Sequence, residues 1–114
     1  MADFRYTKPA KFCVSAIPLS PTIDTGYPVP VKTRVFVKDI DIANTTTASI
    51  DVTVYLVPSG GTAGTGNMLI PGCTIPAKSI FQWTGSQILN EGDTVQFTAS
   101  AVGCTIHCSG AEAI

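Results

Sequence analysis

Residues 35–53 read VFVKDIDIANTTTASIDVT, and this stretch decides the fold class. Ile50, Val52, Val54 and Leu56 alternate with Asp51, Thr53, Tyr55 and Val57. A period of two is the pattern of a strand with one buried face. The corner from Asn44 to Ala48 is Thr-rich and carries a turn-forming Asn, so the two runs read as a β-hairpin with a loop of about five residues. On the first run the phase slips: Val35 and Val37 fall on one face, Phe36, Ile40 and Ile42 on the other. Two explanations stay open. A β-bulge near Lys38–Asp39 would restore a single face, or the strand is covered on both sides, once by another subunit.

Outward from this stretch the chain keeps the same character. The segment KFCVSAIPL, 11–19, reads as a first strand. Residues 20–32 hold Pro21, Pro28 and Pro30, just after Pro18, and read as loop or edge, because proline cannot donate to a ladder. Pro58 to Asn67 is a Gly-rich exposed loop, and 68–76 is a short apolar piece broken by Pro71 and Gly72. Residues 78–84 form a strand, 85–92 a connection, and Asn90-Glu91-Gly92-Asp93 a turn. Strands follow over 93–100, with Val95, Phe97 and Ala99 inward, and over 103–109, with Cys104, Ile106 and Cys108 inward. Six or seven short strands without a helical period mean an all-β, single-domain β-sandwich, jelly-roll or Greek-key like. The domain spans 11–114. Residues 1–10 precede it as an extended N-terminal arm with Phe4 and Tyr6 as aromatic anchors.

The chain has 114 residues, room for one domain. It is 45% hydrophobic and 13% charged, against about 25% charged in ordinary domains. Such a surface is either hidden against partners or covered by Thr, Ser and Gly. The net charge of −1 comes without a Lys/Arg cluster, which speaks against nucleic acid and membrane-surface binding. The first residues carry no apolar signal-peptide core, and no run is long enough to span a bilayer, so synthesis and folding in a cytosol are expected. Cys13, Cys73, Cys104 and Cys108 therefore read as free thiols, mostly core. Cys104 and Cys108 lie about 13 Å apart at strand rise, too far for a direct bridge.

Chemistry-bearing motifs are sparse. His107 is the sole histidine and alternates to the face opposite Cys104, Ile106 and Cys108; only Ser109 or a Cys is locally available as its partner, and no nucleophile elbow is present. Asp39 and Asp41 share a strand face about 6.5 Å apart. With Asp51 across the expected hairpin they could gather around calcium or act as an acid pair, but the commoner reading is a solvated outer face. GGTAGTG, 60–66, lacks the Lys-Ser/Thr ending of a phosphate loop. Trp83, Phe81, Tyr55, Tyr27 and Phe36 could offer a sugar-stacking platform or an intersubunit anchor, though a sandwich Trp is more often core. No enzyme activity, cofactor or metal is expected.

The order of motifs carries one resemblance. Val52 to Pro58 is a strand ending in V-x-V-Y-L-V-P, Ser59 to Asn67 a Gly-rich loop, Ile75-Pro76-Ala77 precedes a strand, and Leu89 to Asp93 precedes the next. Over roughly 35–110 this resembles small virion structural proteins of tailed bacteriophages. The resemblance implies a capsid decoration (cement) protein or a tail accessory, located in the virion and assembled in the bacterial host cytoplasm. Its partners would be the major capsid protein or other virion proteins, with self-association, a trimer among the candidate states. The contact residues expected are Phe4, Arg5 and Tyr6 in the arm, Tyr27 in the long connection, and Phe36. The rival reading is a tail or tail-fibre module that binds carbohydrate or a receptor.

Overall fold

The computed structural model describes residues 7–113. It holds eight strands: β1 (Thr7–Ala16), β2 (Asp24–Pro28), β3 (Arg34–Asn44), β4 (Ile50–Val57), β5 (Met68–Ile75), β6 (Ile80–Leu89), β7 (Thr94–Ala99) and β8 (Cys104–Ala113). One short 3₁₀ turn, Thr65–Asn67, follows the Gly-rich loop. The strands form two antiparallel four-stranded sheets, in the orders β1-β8-β3-β6 and β2-β7-β4-β5. First pairs with last, second with seventh, third with sixth and fourth with fifth. The chain is thus one long antiparallel ribbon with β4–β5 at its tip. Rolling it up adds the β3–β8 and β4–β7 ladders. That is the eight-stranded jelly roll.

This topology corrects the expected hairpin at 44–48. β3 and β4 lie in different sheets and do not pair. Every connection except β4–β5 crosses between sheets. The corner therefore turns the chain over the end of the core, and Asn44 holds it there. Asn44 is 2% exposed. Its amide donates to the carbonyls of Ala48 (2.8 Å), Ile75 (3.0 Å) and Pro76 (3.2 Å). Its side-chain oxygen accepts from the Thr46 amide and hydroxyl. A buried polar side chain is tolerable only when satisfied in this way.

The phase slip in β3 is a bulge. Register shifts between Val37 and Asp39 against both neighbours, β6 and β8. The extra residue, Lys38, is exposed. Val35, Val37, Ile40 and Ile42 are all fully buried in the core between the sheets, so the two apparent faces are one. They pack with Val52, Val54, Phe97, Ile106 and Cys108.

Other boundaries moved. β1 begins at Thr7, inside the segment read as an arm, and ends at Ala16. β2 lies within the proline-punctuated connection and is an edge strand. β5 tolerates Pro71 because it too is an edge, with its ladder interrupted near Gly72. β6 runs on to Leu89, through residues read as a connection, because Gly85 and Ser86 lie opposite the Lys38 bulge. The turn at Asn90–Asp93 is present. Asp93 donates its amide to the Asn90 carbonyl at 3.1 Å and takes the Asn90 amide on its carboxylate at 2.9 Å.

Candidate functional site

The outer face of the β1-β8-β3-β6 sheet brings together Asp39, Asp41 and His107. Antiparallel register sets Asp41 between Gln82 and His107, and Asp39 between Thr84 and Ser109. Apolar rows flank this polar band at both ends. Ile80 lies beside Ala43 at one end, and Ile88 lies beside Phe36 and Ala111 at the other. Ile80 is 70% exposed and Ile88 56%. A shallow depression of about 420 Å³ is lined by Asp41, Ala43, Ile80, Gln82 and His107.

The Asp41 carboxyl is held above the ordinary carboxylate range. Partial burial is the main cause, followed by repulsion from Asp39 and a hydrogen bond with it, while His107 pulls the other way. His107 is exposed. Ser109 is two residues along on the same face, about 7 Å away at strand rise, beyond hydrogen-bond reach. The arrangement sets an imidazole beside one carboxylate and hydroxyl residues beside the other.

Asp51 is not part of this group. It lies on β4 in the other sheet and accepts a 2.6 Å hydrogen bond from the Thr74 hydroxyl. Among the described residues no group of three or more His, Cys, Asp or Glu is placed to hold a metal ion. Gly60 to Gly66 is a loop at the β4–β5 tip.

Phe4, Arg5 and Tyr6 lie outside the described residues. Phe36 is half-buried on the outer face, next to Ile88. Tyr27 is engaged within the domain. Its ring meets Phe12 at 5.0 Å between centroids, and its hydroxyl donates to the Glu112 carboxylate at 3.1 Å. Its phenol is pushed up to about 12 by burial first, then by the hydrogen bond and charge of Glu112. Trp83 and Phe81 pack against the core, and Tyr55, expected on a polar face, is 7% exposed. These three do not form an open stacking platform.

The sequence carries a signal for Ile80 and Ile88 that alternation alone does not show. IFQWTGSQIL, the whole of β6, contains no charged residue and no proline. Of the four edge strands, β1 carries Lys8, Pro9 and Lys11, β2 is short with Asp24 and Pro28, and β5 is broken at Pro71–Gly72. Those are the usual devices that keep an edge from pairing with another chain. β6 has only its Gly85–Ser86 irregularity.

No family model matches the sequence, and no curated protein matches it. Among solved structures, a chain in the structure of infectious bursal disease virus, Gx strain, aligns with a TM-score of 0.53 at 11% identity, over 99% of this chain and 33% of that one. A chain in the structure of the Gt strain covers 95% of this chain and 32% of that one, at 7% identity and a TM-score of 0.43. This chain thus spans about one third of the length of the chains it matches. The Gx likeness is one of fold: the β-sandwich is shared with a chain of a virus structure.

Proposed function

We propose that the protein is a non-enzymatic virion structural protein. In the finer reading it is a decoration protein that self-associates, with a trimer among the candidate states, and binds the outer shell of an assembled tailed-phage capsid. The observation that carries this is the β6 edge. A ten-residue uncharged edge strand, with Ile80 exposed beside Ala43 at one end and Ile88 exposed beside Phe36 at the other, is a surface that needs a partner. The fold shared with a chain of a virus structure supports the same reading, as does the low charge. Binding only to the closed shell would stabilise it by mass action.

The test is to mix purified protein with capsids that lack it. Co-sedimentation and a higher shell melting temperature are expected. Shells that pellet without the protein would overturn the decoration reading. Pelleting with isolated tails instead would favour the tail-accessory reading, which the packed Trp83 and buried Tyr55 do not otherwise support.

A further inference from the structure

Two thiols far apart in sequence meet across the β1–β8 ladder. Cys13 and Cys108 are direct antiparallel partners, and both side chains point into the core. They are 8% and 0% exposed. Directly opposed residues in an antiparallel pair have Cα atoms about 4.5–5.5 Å apart, inside the range of about 4.4–6.8 Å that a disulfide requires. Each thiol shifts the acidity of the other. Both are free thiols. β1 is an edge strand whose register shifts between Lys11 and Cys13, with Phe12 the extra residue.

We propose that Cys13 and Cys108 form an intramolecular disulfide when the folded protein meets an oxidising medium, locking the first strand of the domain to the last. The proposal does not rest on the virion reading; it concerns the domain itself.

The oxidant is a low-molecular-weight disulfide, and the step balances as thiol–disulfide exchange. The Cys13 thiolate attacks one sulfur of the small disulfide and expels one thiolate. Cys108 then loses its proton and attacks the Cys13 sulfur of the mixed disulfide, expelling the second. Two protein thiols and one small disulfide become one protein disulfide and two small thiols. The order of attack follows from the pair's asymmetry. Hydrogen bonds from Cys108 hold the Cys13 thiol below its ordinary value. Cys108 is pushed up because it donates to Cys13 and is buried. Once Cys13 is capped, that donation ends and Cys108 is free to act as the resolving thiol. Cys104 lies on the same strand but pairs with Asn44, and Cys73 is in the other sheet, so neither competes.

The experiment incubates the native protein with oxidised glutathione, alkylates it in denaturant and maps the peptides. The expected result is a chain lighter by two hydrogens, with Cys13 joined to Cys108 and with Cys73 and Cys104 alkylated. Its melting temperature should rise by about 10 °C over the reduced form, because a bridge between near-terminal positions closes a very long loop. Cys13→Ser should lose both the bridge and the shift, and Cys73→Ser should keep both. The proposal is overturned if all four thiols stay alkylatable, if glutathione remains on Cys13 unresolved, or if the bridge involves Cys73 or Cys104. A bridge without a thermal shift would overturn the locking role. Mapping on the unmutated protein decides the pairing even where a serine variant fails to fold.

Discussion

Gly110 on β8 lies directly against the Phe36 carbonyl of β3. A methyl group at position 110 would overlap that oxygen and come within 3.0 Å of the Lys38 amide nitrogen. The contact exists because the bulge at Lys38 tips the β3 backbone towards β8. Gly110→Ala should therefore destabilise the domain by about 1–3 kcal/mol, the usual range for overpacking where backbone must move. The denaturation midpoint reads this. An unchanged midpoint would mean that the bulge relaxes freely.

Asn44 supports a second prediction. Replacing it with Ala removes the donor from the buried carbonyl of Ile75 and from those of Ala48 and Pro76. Leaving such groups unpaired costs about 1–3 kcal/mol. Asn44→Asp should be worse, since a carboxylate would face those carbonyls. Urea unfolding of the two variants tests the ranking.

How far these features were legible in the sequence depends on which interactions carry them. Local alternation shows β7 and the first half of β8, and the broken alternation of β3 leaves a bulge and a doubly covered strand both open, because side-chain period reports burial but not what causes it. Sheet assignment was not legible. A five-residue polar corner suits a hairpin and a crossover between sheets equally well, and only packing at Asn44 distinguishes them. The Cys13–Cys108 pairing was hidden for the same reason: it is set by the meeting of the first and last strands. β6 was cut short because Gly85 reads as a breaker, while the structure uses it opposite the Lys38 bulge.

The Asp39–Asp41 pair predicts a pH dependence. In the folded state Asp41 binds its proton more tightly than in the unfolded chain, whose ordinary value is 3.8. Stability is therefore lost as pH rises from 3.8 through the raised folded value, and the penalty is complete at neutral pH. Asp41→Asn mimics the protonated group and can still donate to Asp39. It should raise stability at pH 7 by about 0.5 kcal/mol or less, and the gain should vanish below pH 3.8. Thermal melts at the two pH values decide it. A variant less stable at pH 7 would mean that the His107 attraction outweighs burial and Asp39.

Tyr27 predicts an alkaline limit. Its folded value of about 12 lies above the ordinary 10.0, so its contribution is intact below pH 10 and is lost as pH rises towards 12. Tyr27→Phe keeps the ring on Phe12 but drops the bond to Glu112, at a cost of about 0.5–1.5 kcal/mol. In a phenolate absorbance titration of the native protein, the late-titrating tyrosine should disappear in this variant. Persistence of the late step in Tyr27→Phe would overturn its assignment to Tyr27.

The β6 edge gives the prediction closest to function. Ile88 is 56% exposed and shares its cross-strand row with Phe36 and Ala111. A lysine there places a charge on the outer face of an edge, a device that blocks strand addition and desolvated contact. Ile88→Lys should leave the melting temperature of the isolated domain within the small range of surface substitutions, about 0.5 kcal/mol. It should nonetheless weaken self-association or shell binding at least tenfold, which corresponds to about 1.4 kcal/mol. A charge on another exposed apolar residue, Val102→Lys, serves as the control. It lies in the β7–β8 connection, at the Asn44 end of the sheet and so at the opposite end of β3 from the Phe36–Ile88 row, and should leave association through Ile88 unchanged. Sedimentation velocity across a dilution series, and co-sedimentation with capsids, read the two variants side by side. Equal loss in both would point to general surface hydrophobicity, and loss in neither would remove β6 as the contact surface.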